Sequence, residues 1–244
     1  MIKYNLPQKP KKLTKELQEQ LTQKFKDTGE IVWKAEWLKK AIADKSFGKC
    51  CYSDIKLGEE SKYMEVDHFL PKSQYADLVL EWSNLNPSCK TCNASKGDHD
   101  SKKESIVNPF QDNPKDYLYL KAYRYYGKDD KGIGKKTIEV LKLNNNEQFV
   151  DKRADIGNEV KYQLHFLYKN CDLFFQPERL LLENLENLMQ RGNRKEEYAA
   201  LVSTVILEDN NFKNIETYLK ENNLWDEELE SLKSELAFCA LPNL

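Results

Sequence analysis

The chain has 244 residues, 40% hydrophobic and 11% aromatic, enough to bury a core as one large domain or two small ones. With 32% charged residues and a mean hydropathy of −0.77 its surface is well solvated, and no apolar run approaches a membrane span, which excludes a helical membrane protein. A formal net charge of −2 excludes a protein that coats nucleic acid by electrostatics alone.

The N-terminus, Met1-Ile2-Lys3-Tyr4-Asn5-Leu6-Pro7, lacks the apolar core of a signal peptide, so a cytoplasmic protein is expected. Pro7, Pro10 and the lysines between and after them predict an extended, solvated arm over the first 15 or so residues. From Thr14 the spacing of Leu17, Leu21 and Phe25 is helical, with Gly29 as the stop, and Trp33, Trp37, Leu38, Ala41 and Ile42 predict a second helix ending near Gly48. Cys50 to Leu57 and Tyr63 to Phe69 read as two short strands joined through Gly58, followed by a loop from Pro71 to Asp77 and a short helix from about Asn93 to Lys102. This strand–strand–helix frame spans residues 45–105, after an N-terminal arm and helices at 1–44. Residues 106–145 form a tyrosine-rich connection, with Tyr117, Tyr119, Tyr123, Tyr125 and Tyr126 predicting a strand pair whose turn is the charged stretch from Gly127 to Gly134. Residues 146–244 are a helical region, with amphipathic helices at Val150–Tyr168, Leu180–Met189, Tyr198–Leu207, Ile215–Leu224 and Glu227–Phe238 that suit a platform for a partner. The expected class is α+β, mostly helical.

Chemistry concentrates between Cys50 and His99. Phosphodiester hydrolysis needs an activated water, positive charge at the phosphate and relief of charge on the departing oxygen. His68 has the residue type for the first task, since an imidazole is largely neutral and basic near pH 7. The Asp67 carboxylate and Asn93 amide oxygen suit a hard cation, Mg²⁺ or Mn²⁺. Asn84 can hold a neighbouring backbone or the imidazole in place. Lys96, one helical turn after Asn93, can meet phosphate or developing charge, and Lys72, Lys90, Lys102 and Lys103 offer a local basic strip. Of the six cysteines, Cys89 and Cys92 form a knuckle that with Cys50 suits a structural Zn²⁺, while Cys171 and Cys239 read as buried packing. Position 53 is serine, a poor zinc ligand, which leaves Cys51 or Asp54 as the alternatives for a fourth. A zinc module that binds nucleic acid or protein without cutting explains the cysteines equally well, but not Asp67, His68 and Asn93.

Lys49-Cys50-Cys51-Tyr52-Ser53, Glu65-Val66-Asp67-His68-Phe69-Leu70-Pro71-Lys72, Glu81-Trp82-Ser83-Asn84 and Cys89-x-x-Cys92-Asn93-x-x-Lys96 together resemble an HNH endonuclease of the ββα-metal type. That resemblance implies His68 as general base, Asp67 and Asn93 as ligands of one divalent ion, and Asn84 as the residue that orients His68. Asn93 then fills a position often held by histidine, and His99 reads as a solvated helix end. The phrases Val107-Asn108-Pro109-Phe110 and Leu143-Asn144 and the helical tail resemble, more narrowly, the HNH nuclease subunit of Septu-type and retron-associated anti-phage systems. This implies a partner ATPase and cleavage of invading DNA.

Overall fold

The computed structural model describes residues 1–58, 63–170 and 178–242. They divide into two units, one of Met1, Lys3–Leu118 and Tyr126–Asn144, the other of Ile2, Tyr119–Tyr125 and Asn145–Leu244. The arm and helices at the N-terminus therefore belong with the strand–helix frame.

In the first unit the proline-rich arm is extended but packed, not solvated throughout. The Tyr4 amide donates to the Pro109 carbonyl at 2.8 Å, Trp82 Nε1 donates to the Pro7 carbonyl at 2.8 Å, and Leu13 is buried. Helix α1, Lys15–Thr28, starts where the Thr14 hydroxyl accepts from the Leu17 amide and stops at Gly29, whose φ of 71° is left-handed. Helix α2, Glu36–Asp44, buries Leu38 and Ile42, which join Leu13, Val79, Leu80, Trp82 and Leu85 in one apolar cluster, with Phe25 and Trp33 packed against it.

The stretch from Cys50 to Leu57 is not a strand. A single bridge pairs Lys49 with Lys56, and between them the chain turns back, Cys50 donating to the Ile55 carbonyl and Asp54 standing at φ 66°. The sheet is instead β1, Met64–His68, paired antiparallel with β2, Leu85–Cys89, so that Asp67 faces Asn86 and His68 faces Leu85. Leu-Asn-Pro-Ser-Cys has turn-forming composition; its strand state is set by burial of all five residues and by pairing with β1. Pro87 lacks an N–H but its carbonyl accepts from the Cys51 amide, as an edge strand permits. Helix α3, Lys90–Lys96, begins three residues before the expected start, because the Cys89 sulfur accepts from the Cys92 amide as its cap, and ends at Gly97.

After the short α4, Pro114–Tyr117, strands β3, Leu118–Lys121, and β4, Arg124–Gly127, pair as expected, but the turn is Ala122-Tyr123, both left-handed at φ 47° and 64°. The charged stretch instead leads into α5, Ile133–Val140, which the sequence reading missed; the Asp129 carboxylate caps it by accepting from the Ile133 and Gly134 amides.

In the second unit a π-helical turn, Asn146–Val150, leads into α6, Asp151–Asn170, followed by α7, Glu178–Gln190, α8, Ala199–Glu208, α9, Asn210–Glu221, and α10, Glu227–Cys239. Residues 199–206 of α8 are all buried, and α6, α9 and α10 pack around it, the arrangement an all-round apolar helix requires. Cys239 is buried as expected, and Cys171 lies outside the described residues. No described helix is long and apolar enough to cross a membrane.

Candidate functional site

His68 ends β1 and is only 4% exposed. Its Nε2 lies 2.9 Å from the Val79 carbonyl. A carbonyl can only accept, so Nε2 carries the proton and Nδ1 is left with its lone pair. The Trp33 ring stands edge-on to the imidazole, with centroids 4.5 Å apart and planes at 76°. Burial pushes the His68 pKa down to about 4, outweighing the pull of the Val79 carbonyl and Asp67 in the other direction. The ring is therefore neutral near pH 7, with one nitrogen ready to take a proton.

Asn84 does not touch the imidazole. Its Oδ1 accepts from the Leu70 amide at 2.7 Å and its Nδ2 donates to the Leu70 and Leu78 carbonyls at 3.1 Å each. It thereby clamps both ends of the loop that follows β1, one residue from the carbonyl that orients His68. Of the two tasks the sequence offered, it holds the backbone.

Asp67, the residue before His68 in β1, has partners of its own. The buried carboxylate accepts from the Tyr52 hydroxyl at 2.6 Å and pairs with Lys96 Nζ at 2.9 Å. Lys96 departs from the expectation of a phosphate contact. Its side chain is fully buried, with the ammonium on Asp67 and, at 2.6 Å, on the His68 carbonyl. A buried carboxylate attracts the nearest cation inward, and here that cation braces β1 against α3. Asn93, half-buried on α3, donates from Nδ2 to Glu65 at 2.7 Å, so that the amide oxygen is not the atom engaged there. Glu65 shares a strand face with Asp67, and sequence reasoning missed it; the alternation Glu65-x-Asp67 was the available signal.

This donor set fits a hard cation. Two carboxylates and an amide oxygen are all oxygen donors, and one lysine neutralises only one of the two negative charges. Asn86, cross-strand from Asp67 and bonded through Nδ2 to Tyr52, has a buried Oδ1 with no hydrogen-bond partner among the described residues, an orphaned acceptor in the same network.

A second cluster lies at the knuckle. The sulfurs of Cys50, Cys89 and Cys92, all buried, are within 4.8 Å of one another. Burial raises the Cys50 pKa, but hydrogen bonds from the Cys89 and Cys92 thiols and from Ser53 outweigh it and hold Cys50 well below the ordinary thiol value. Sharing with Cys50 pushes Cys89 up to about 12 and Cys92 well above the usual value. A soft cation at these three buried sulfurs would let all of them ionise. Neither expected alternative for the fourth ligand joins them. Cys51 is buried outside the cluster, and Asp54 pairs with Lys49 Nζ at 2.6 Å and accepts from Tyr4. A left-handed backbone at Asp54 turns the carboxylate toward that lysine.

The exposed lysines differ in their surroundings. Lys72 lies over the Trp33 ring at 5.8 Å, Lys102 over the Tyr75 ring at 5.9 Å, and Lys103 pairs with Asp100, while Lys90 opens α3 in solvent. His99 bonds through Nε2 to the Glu104 carbonyl at 2.8 Å.

Residues 49–99 match the HNH endonuclease family, a span that holds every residue of both clusters except Trp33. A Septu protein PtuB of Bacillus thuringiensis is 37% identical over 241 residues, covering 96% of this chain and 93% of the relative. The chain belongs to the Septu PtuB family. A Septu protein PtuB of Bacillus mycoides strain KBAB4 is 25% identical over 160 residues, covering 53% of this chain and 54% of that protein. No solved structure matches. Likeness to the first PtuB extends through both units, whereas the HNH match is confined to the first.

Proposed function

We propose that this chain is a metal-dependent endonuclease that cuts DNA as the effector of a cytoplasmic anti-phage complex with an ATPase subunit. The observation that carries the nuclease reading is His68: a neutral imidazole whose Nε2 is bound to the Val79 carbonyl, leaving Nδ1 as the basic nitrogen, fixed at the end of the strand that also holds Asp67. Asp67 and Asn93 would hold one Mg²⁺ or Mn²⁺, with Glu65 beside them. When bound, the ion supplies positive charge to the phosphate and to the departing oxygen. His68 Nδ1 takes a proton from water as the water oxygen bonds to phosphorus and the P–O bond to the leaving nucleotide breaks. The anionic phosphodiester beside the ring raises the His68 pKa, because negative charge favours the imidazolium. Asn84 holds the loop, and through it the Val79 carbonyl, so that the ring keeps its tautomer. Lys96 braces Asp67 through their buried ion pair, and Cys50, Cys89 and Cys92 would hold a Zn²⁺ that ties the Cys50 turn to α3. Lys72, Lys90, Lys102 and Lys103 are the candidates for contact with the polynucleotide.

The DNA substrate, the defence role and the ATPase rest on the Septu likeness. The net charge of −2 supports delivery of DNA by a partner. Plasmid cleavage by the chain with its partner is the test. His68→Ala should slow cleavage by roughly 10²–10⁴-fold at unchanged melting temperature, as loss of a general base does. EDTA should stop cleavage, and Mg²⁺ together with Zn²⁺ should restore it. Equal rates for wild type and His68→Ala would exclude this mechanism, whereas binding with no nicking by the wild type would favour a zinc module that does not cut.

A further inference from the structure

The knuckle is built from two copies of one turn. In the second, the Cys92 amide donates to the Cys89 sulfur at 3.5 Å; in the first, the Ser53 amide donates to the Cys50 sulfur, also at 3.5 Å. Ser53 therefore stands in its turn where Cys92 stands in the other, and Cys92 is one of the three clustered sulfurs. The Ser53 side chain is buried, and its hydroxyl lies 3.7 Å from the Cys89 sulfur and also bonds to the Cys50 sulfur. Zinc bonds of about 2.3 Å to sulfur and about 2.1 Å to oxygen at a tetrahedral angle place a sulfur and an oxygen ligand about 3.6 Å apart. The observed separation fits two ligands of one ion. Ser88 also lies near the cluster, 3.9 Å from the Cys50 sulfur, but its hydroxyl donates to the Cys89 carbonyl.

We propose that Ser53 Oγ is the fourth ligand, making this a three-sulfur, one-oxygen zinc site. The inference rests on zinc at Cys50, Cys89 and Cys92 and is independent of the nuclease reading. A hydroxyl is a weaker zinc ligand than a thiolate, so the ion is held less firmly than by four cysteines.

Absorption spectra of the cobalt-substituted full chain and zinc retention against a competing chelator test this. Ser53→Cys should raise the sulfur-to-cobalt band in the ratio of four sulfurs to three and slow zinc loss by tenfold or more. Ser53→Ala should shift the cobalt d–d bands and speed zinc loss, and Ser88→Ala should do neither. A Ser53→Ala protein matching wild type in both measurements overturns the assignment, as does a shift seen with Ser88→Ala alone. Should Ser53→Ala fail to fold, Ser53→Cys decides: no added sulfur band overturns it. A wild-type chain that takes up no zinc or cobalt would sink the metal site as a whole, whereas one that binds an ion indifferent to Ser53 sinks only the fourth ligand.

Discussion

The state of a single imidazole governs how this centre responds to pH. His68 titrates near pH 4 in the folded chain and near 6.5 when unfolded. Between those values the unfolded chain binds more protons, so stability falls as pH drops from about 6.5 to about 4 and is unaffected by this group above that window. The full contribution is on the order of 3 kcal/mol, at 1.36 kcal/mol per pH unit. Urea unfolding at pH 7 and pH 5 checks it: wild type should lose more stability than His68→Gln. The acid limb of cleavage by the free enzyme should likewise lie well below pH 6.5. Trp33 is a positioning residue here, since its ring both shields and orients the imidazole. Trp33→Ala should therefore lower kcat and move the acid limb up toward 6.5, while Trp33→Phe restores most of both. An unmoved limb in Trp33→Ala would mean that the indole only fills space.

At the scale of elements, strand β1 is held to α3 by one buried ion pair and to β2 by its ladder. Lys96→Met leaves Asp67 buried without its cation and should cost about 3–5 kcal/mol by chemical denaturation. Close backbone approach fixes α5. A Cβ on Gly134 would lie 2.0 Å from the Tyr117 carbonyl oxygen, which belongs to the backbone and cannot swing aside. On Gly157 of α6 a Cβ would meet the Tyr123 ring at 2.3 Å, but a side chain can rotate away. Gly134→Ala should thus lower the melting temperature more than Gly157→Ala, with a loss for the former of about 1–3 kcal/mol or more.

For the whole molecule, the two units are stabilised differently. The second buries a continuous apolar α8 among helices, whereas the first joins short elements at a cysteine knuckle. Chelation should therefore be felt locally. Hydrogen exchange in EDTA should show lost protection between Lys49 and Lys56 and across Lys90–Lys96, with α8 unchanged. Equal loss in both regions would show that the knuckle is not a local brace.

The sequence by itself determined whatever is encoded between near neighbours. Thr14 and Gly29 bound α1 through a cap bond and a left-handed residue, the 3.6-residue period located the helices of the second unit, and the Asp67-His68 and Cys89-x-x-Cys92 spacings marked both clusters. Tertiary structure decided which strand pairs with β1, because Leu85–Cys89 has no strand propensity to announce it. It also turned Lys96 inward, set Asp54 against Lys49, and brought Trp33 to His68 from outside the motif. Each of these depends on a partner distant in the chain, and burial selects such partners only once the whole core has formed.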